Sequence, residues 1–404
     1  MYNIGVIGLG NRIETLLARL LRALGENGRL AAVMDTRDAE TLCSFHPSVA
    51  EAIKGAHFYV SAEDMLEKEP LDGVLIGTRC STHTHYACMV MEHNIPLFLE
   101  KPVCTTMEDW SRLHTYERAH DGQVLVSFPL RLTPIVHCVK EIVDSGAIGQ
   151  VQHVQAINDV PYGGVYYHSW YRDESITGGL FLQKTTHDFD YINYVIGCQP
   201  TEVASMGSKQ VFKGNKPAGL KCRDCAEYLT CTDSPYVLEN FCDDSARGSR
   251  CCFAVDTGNH DSASCLVRYD TGMHLVYSQN FFARKHAQKR GAIFLGYEGT
   301  VEFDFYTLCI RKYPHHSSRM EEIRFDDLHE DHFGGDKALI CGFIDLIKGG
   351  HSIAPLHEGL LSALMCLKAT ESEKTKQFVP IVYPGKQPHE LIANDSRCRK
   401  EKWL

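Results

Sequence analysis

Asn3-Ile4-Gly5-Val6-Ile7-Gly8-Leu9-Gly10-Asn11-Arg12 is the stretch that decides the fold. Residues 3 to 8 form a short apolar run, and Ile13 to Leu24 carry apolar residues at helical spacing, so the order is strand, turn, helix. The turn calls for glycine at Gly8 and Gly10, where the backbone bends tightly and must approach a pyrophosphate. Asn11 and Arg12 then open a helix whose free amides and positive dipole end favour that anion. Position 13 is Ile, so the usual third glycine of such a turn is absent.

The next apolar run, Leu30 to Met34, ends in Asp35, about 25 residues after the glycines and close to where a carboxylate meets an adenosine ribose. Asp35 favours NAD; Arg37, two residues on, is placed to meet a 2′-phosphate, which leaves NADP open. Further apolar runs at Leu71 to Gly77, Leu97 to Leu99 and Val124 to Phe128 alternate with helical segments, the pattern of a doubly wound α/β domain with a parallel sheet. Ligands of such sheets bind at the carboxyl ends of the strands. Here these ends are Gly8 to Arg12, Asp35, Thr78 to His83 and Glu100 to Pro102.

Composition removes several function classes. A hydrophobic fraction of 44% and a charged fraction of 23% are ordinary for a globular protein, and the length favours two domains. A net charge of -10, from 51 acidic and 41 basic residues, disfavours a nucleic-acid partner. No apolar run is long enough for a membrane span, and Met1 leads into a strand without a secretory pattern, so a cytoplasmic location is expected. The 17 cysteines then read as reduced thiols rather than disulfides.

Phe98-Leu99-Glu100-Lys101-Pro102 is a strand followed at once by Glu-Lys-Pro, and this resembles the signature of the Gfo/Idh/MocA family (glucose-fructose oxidoreductase, inositol dehydrogenase, rhizopine catabolism). The loop Thr78-Arg79-Cys80-Ser81-Thr82-His83 and the exit Phe128-Pro129-Leu130-Arg131 are similar to the family as well. So are Trp170-Tyr171-Arg172-Asp173, Gly178-Gly179 and Lys184-Thr185-Thr186-His187-Asp188-Phe189-Asp190. The resemblance implies a lysine, here Lys101, beside the nicotinamide, a proline, Pro102, supporting the turn that aims it, and a catalytic histidine, His187. Gln183 stands where most characterised dehydrogenases of the family have Asp, and Lys184 resembles a less well-characterised branch.

Oxidising a secondary alcohol removes a hydride from carbon and a proton from the hydroxyl, so a base must reach that hydroxyl. His187 is the candidate base, because imidazole titrates near neutral pH, and Lys101 is the candidate for polarising the oxygen. A helix starting near Leu180 places Lys184, His187 and Tyr191 on one face, with Lys184 disfavouring protonation of His187 and Asp190 available to orient it. Tyr162, Trp170, Tyr171 and Arg172 read either as a sugar-stacking wall or as domain packing. With Arg131, Gln183 and Asp190 they complete the expected substrate contacts.

Residues 1–130 are thus read as the NAD(P)-binding Rossmann domain and residues 131–404 as an α+β domain for substrate binding and oligomerisation. Strands are expected at Val151 to Ile157, Thr201 to Met206, Ala263 to Tyr269, Met273 to Asn280 and Thr300 to Phe305, in an open, mainly antiparallel sheet. Late helices are expected at Asp336 to Lys348 and His357 to Lys376, with a peripheral tail after Gln387. The resemblance implies a homo-oligomer, dimer or tetramer, formed through that sheet. An insertion at 215–252 holds Cys222-x-x-Cys225, Cys231, Cys242, Cys251 and Cys252, which read as reduced thiols or as a structural zinc site. Three functions stay open: an NAD(P)-dependent oxidoreductase acting on a sugar or inositol hydroxyl, a redox-neutral glycosidase or lyase using transient oxidation, and a non-enzymatic NAD/sugar sensor.

Overall fold

The computed structural model describes residues 1–37, 42, 46–237, 249–326 and 331–384. The first sheet holds β1 (Tyr2–Ile7), β2 (Gly28–Met34), β3 (His57–Tyr59), β4 (Gly73–Ile76), β5 (Leu97–Leu99) and β6 (Val124–Val126) in the order β3-β2-β1-β4-β5-β6. All its pairings are parallel. The central strands are buried on both faces, which is why they read as unbroken apolar runs without alternation. β3 gives no such run, because it is a three-residue edge strand of partly exposed residues.

The helix Asn11–Leu24 leaves the glycine turn directly, with Gly10 as its N-cap. The packing room that a third glycine would give comes from the other side of the contact. A Cβ built on Gly77, just past β4, would lie 2.0 Å from Ile13 Cγ1, so the bare backbone at Gly77 is what lets Ile13 seat against the sheet.

The second sheet holds β7 (Val151–Asp159), β8 (Pro200–Ser208), β9 (Ser262–Tyr269), β10 (His274–Asn280), β11 (Lys289–Gly296), β12 (Gly299–Asp304), β13 (Cys309–Pro314), β14 (Glu321–Arg324) and β15 (Val379–Pro380). Its order is β14-β13-β12-β11-β7-β10-β9-β8-β15, antiparallel throughout except where β7 meets β10. Alternating burial along β7 and β9 gives it one core face and one open face. β11 was not legible beforehand: it opens on Lys289-Arg290-Gly291, without alternation.

After β14 the chain returns to the first sheet. The helix Gly335–Ile347 packs there, with Phe343 edge-on to Phe98 at 5.6 Å and Ile347 over Gly73. The helix Leu356–Thr375 spans both halves: Leu360 O accepts from Trp110 Nε1 at 2.8 Å, and Ser372 Oγ accepts from Ser205 N on β8 at 2.9 Å. Space therefore divides the chain differently from sequence, since residues beyond 335 complete the nucleotide half.

One local expectation changes. In place of a regular helix from Leu180, a five-residue π-helical turn, Phe181–Thr185, precedes the α-helix Thr186–Ile196. The wider turn rotates the face relations, and Tyr191 points into the core against Phe303 and Phe305, at 5.7 and 5.6 Å, rather than toward a ligand. The tail after Gln387 lies outside the described residues.

Candidate active site

The glycine turn is built for close approach. Gly8 has φ 79°, a conformation that favours glycine, and a Cβ there would meet Thr78 at 2.6–2.8 Å. Leu9 N donates to Asp35 Oδ2 at 2.8 Å, which ties the turn to the end of β2. Arg37 donates to Asp35 Oδ1 and to Leu9 O, at 2.9 and 2.7 Å. Burial raises the Asp35 carboxyl, but Arg37 and the two backbone amides outweigh it and hold it below the usual carboxylate range. Arg12 reaches away from the turn, gripping Asp336 at 2.6 Å and facing Glu100 Oε1 at 3.4 Å, so it joins the nucleotide turn to the returning C-terminal helix.

At the end of β5 the Lys101–Pro102 peptide is cis. Pro102 O lies 2.8 Å from His83 Nδ1, and His83 Nε2 is 3.2 Å from Thr78 O. His83 is buried between these two carbonyls and burial lowers its imidazolium, so its single ring N–H donates to one of them; the side chain is turned to the backbone between the Thr78 and Lys101 loops and not to a cofactor. Lys101 Nζ donates to Gln183 O at 2.9 Å. Burial lowers the Lys101 ammonium to about 8, with Lys184 adding to the fall and Glu100 opposing it.

His187 is buried, lies edge-on to Phe128 at 5.9 Å, and its Nδ1 has no hydrogen-bond partner among the described residues. Burial, then Lys101, Arg290, His332 and Lys184, push its imidazolium well below the ordinary range, so it is neutral and able to accept a proton. Lys184 is bonded to the Tyr162 hydroxyl, and its Nζ sits 4.3 Å from the centre of that ring. Burial raises the Tyr162 phenol, yet Lys184, Arg290 and Lys101 together bring it below its usual value. Tyr162 is 48% exposed, so this polar cluster has an aromatic edge open to solvent.

Arg290 was missed by sequence reasoning. It enters from β11, 103 positions after His187 in the chain, paired with buried Asp188 at 2.8 Å, and Asp188 also accepts from Asn158 and Tyr277 at 2.8 Å. No local pattern marks it, because it is brought in by strand order alone.

Four expected substrate contacts are relocated. Arg131 and Asp190 bind each other at 2.9 and 2.5 Å, both almost fully buried, and Arg131 also meets Glu358 at 3.0 Å. Asp190 is thus turned to Arg131, not to His187. Arg172 is held by Asp256 at 2.6 Å, Thr257 at 2.8 Å and Cys251 O at 3.2 Å, inside the second domain. The Gln183 amide donates to Thr177 O and Cys80 Sγ, at 3.0 and 3.3 Å, so its backbone carbonyl on Lys101 is its link to the site. Each is bonded within the protein, although Arg172 Nε has no partner among the described residues.

Trp170 and Tyr171 pack on each other. Their rings stack at 4.0 Å, and the Arg79 guanidinium lies 3.9 Å over Trp170, closing one side between the Thr78 loop and the second domain. Among the described residues no three His, Cys, Asp or Glu groups are arranged to hold a metal ion, and no helix is long and apolar enough to cross a membrane.

Comparison with known proteins agrees with this layout. Residues 2–128 match the oxidoreductase family with an NAD-binding Rossmann fold, and residues 136–302 match the GFO/IDH/MocA C-terminal domain. The chain is 24% identical over 380 residues to the putative oxidoreductase YteT of Bacillus subtilis, covering 84% of this chain and 88% of that protein. It is 28% identical over 218 residues to myo-inositol 2-dehydrogenase of Thermotoga maritima, covering 54% and 61%. Among solved structures, levoglucosan dehydrogenase in complex with NADH and levoglucosan superposes with a TM-score of 0.73 at 14% identity, covering 95% of this chain and all of that one. An oxidoreductase domain protein from Kribbella flavida gives 0.74 at 18% identity, covering 95% and 99%. With both halves matched in order along one chain, this protein is a member of the Gfo/Idh/MocA family of NAD-binding oxidoreductases.

Proposed function

We propose that the enzyme oxidises a secondary hydroxyl of a sugar or inositol-like polyol, with NAD as hydride acceptor. The observation that supports this most directly is a buried His187 whose Nδ1 has no partner among the described residues, four residues after the Gln183 carbonyl that holds Lys101. The dinucleotide would lie over Gly8 and Gly10 with its ribose at Asp35, and its nicotinamide would supply the hydride acceptor. Asp35 holds Arg37 by two hydrogen bonds and presents negative charge where NADP carries a phosphate, which favours NAD.

In this reading His187 accepts the hydroxyl proton as the C–H bond breaks. Lys101, held by Gln183 O, donates to the same oxygen and stabilises its developing negative charge. Burial, with the Lys101, Arg290 and Lys184 cations around it, disfavours a proton on His187, so that it starts unprotonated. The Trp170 and Tyr171 pair offers aromatic surface for a sugar face, and names of relatives such as myo-inositol 2-dehydrogenase point to the same substrate class. Exposed Met206, Leu266 and Val276 share the open face of the second sheet, which supports assembly of two or more copies through that face.

The test is incubation with NAD and a panel of sugars, inositols and aryl glycosides, following NADH absorbance and aglycone release together. NADH rising in step with substrate loss is the expected result. Aglycone release without net NADH would replace this reading with the redox-neutral one, and NAD binding with no turnover of any substrate would favour a sensor.

A further inference from the structure

Lys184 takes no part in the hydride or proton transfer, yet it is an amine held inside the protein. Its side chain is 5% exposed, and the Tyr162 hydroxyl is its one hydrogen-bond partner among the described residues. Tyr162 and Tyr166 also turn ring faces toward its Nζ, at 4.3 and 5.4 Å. Among the described residues no carboxylate pairs with it: Asp188, four positions on, is taken by Arg290, Asn158 and Tyr277. A buried ammonium without an opposite charge is costly, so an anion is the missing partner.

The Lys184–Tyr162 pair is rich in donors and poor in acceptors. An ammonium carries three N–H groups, of which one goes to Tyr162. The phenol oxygen accepts that bond, so its own O–H is left to donate, and it has no acceptor among the described residues. Lys101 adds a second cation from next door, its Nζ on the carbonyl of the Gln183–Lys184 peptide. Burial pushes the Lys184 ammonium below its usual value, with Tyr162 opposing the fall and Arg290 adding to it, and a bound anion would offset that penalty. Tyr162 is half exposed, so a ligand can reach the pair.

We propose that Lys184 and the Tyr162 hydroxyl bind a carboxylate of the substrate, which makes the polyol a sugar acid. This assignment rests on the polyol oxidation proposed for Lys101 and His187. Lys101 and His187 take the reacting hydroxyl, and Lys184 with Tyr162 holds the acid group, so two anchored points fix which carbon faces the nicotinamide. A carboxylate matches one ammonium and one hydroxyl with its two oxygens. A phosphate brings about two charges and a third oxygen, more than these donors satisfy.

The test compares matched pairs on the full chain with NAD: hexuronates against hexoses and aldonates against alditols, with hexose phosphates as a third arm. Each preferred acid should show a kcat/KM at least about tenfold above its neutral partner. Lys184→Met should cut that acid-to-neutral ratio by about 10–100-fold and Tyr162→Phe by about 2–10-fold, and a merely structural role would leave the ratio unchanged. Calorimetry of the NAD-loaded chain with a hexuronate or aldonate reads binding apart from turnover. Acid binding that Lys184→Met abolishes, with no NADH formed, would keep the carboxylate site and refute the oxidation. NADH formed from neutral polyols at an equal or higher kcat/KM would keep the oxidation and refute the site. A preference for the phosphates, or no acid bound by the unmodified chain, would also overturn it. So would a tyrosinate absorbance band at neutral pH that Tyr162→Phe removes, because Tyr162 would then supply the anion itself. The matched pairs need no variant, so a substitution that fails to fold leaves the proposal open to refutation.

Discussion

Gly77→Ala tests whether Gly77 does the work of the missing third glycine. The new Cβ would sit 2.0 Å from Ile13 Cγ1, 3.1 Å from Ile13 Cβ and 3.2 Å from Gly8 O. Carbon atoms prefer about 3.5–4.0 Å, so the overlap with Cγ1 is about 1.5 Å. Ile13 is fully buried and cannot swing into solvent, so the helix Asn11–Leu24 must shift and carry Gly10 with it. Overpacking of this kind costs about 1–3 kcal/mol. If about 1.4 kcal/mol of that strain is re-imposed when the turn closes on the dinucleotide, NAD binds about tenfold more weakly.

Urea denaturation gives the stability change, and NAD titration of tryptophan fluorescence gives the affinity. The decisive measurement is the pair. Ile13→Ala alone loses core packing, at a cost of about 2–5 kcal/mol, but it removes Cγ1 and the worst of the overlap. The double variant Ile13→Ala/Gly77→Ala should therefore be more stable than the sum of the singles predicts, by about 1–2 kcal/mol. Additivity within about 0.5 kcal/mol, or a Gly77→Ala protein of unchanged stability, would show that the contact does not limit helix placement.

Three further outcomes are expected. Lys101→Met should abolish turnover and leave NAD binding intact; its thermal midpoint at pH 7 should rise, because the folded pKa of about 8 lies below the unfolded one and the penalty of a buried ammonium is present below pH 8. By the same sign, wild-type stability should increase from about pH 8 toward the unfolded lysine pKa, and Lys101→Met should flatten that rise in pH-resolved calorimetry. His187→Asn should lower kcat by about 10²–10⁴-fold with little effect on NAD affinity, and any acid limb of wild-type kcat/KM that belongs to His187 should lie below the ordinary imidazole range; a limb in the ordinary imidazole range that is lost in the variant would contradict the lowered imidazole. Arg131→Met strands the Asp190 carboxylate and should cost about 3–5 kcal/mol in denaturant melts, and a rise in KM without loss of stability would instead restore Arg131 to the substrate site.

The parallel, doubly wound class of the first sheet, the glycine turn, Asp35, and the Lys101 and His187 motifs were all legible in the chain. Each depends on neighbours within a few residues: the tight turn, the strand end, the apolar run buried on both faces. What stayed hidden lies in contacts between distant segments. Arg131 and Asp190 look like pocket residues in isolation, and only their placement face to face shows that each neutralises the other. Arg290 carries no motif, yet the pairing of β11 with β7 sets it on Asp188 beneath the histidine. Gly77 is an ordinary strand-end glycine until the helix from Gly10 lies against it. Sequence alone therefore determined the nucleotide-binding half, because local backbone geometry selects the residues that make a nucleotide turn, while the Lys101 and His187 roles came from the resemblance to the family. Which polar side chains face the ligand was decided only by tertiary structure, because a buried charge goes wherever an opposite charge is brought within hydrogen-bond reach, and no sequence spacing records that distance.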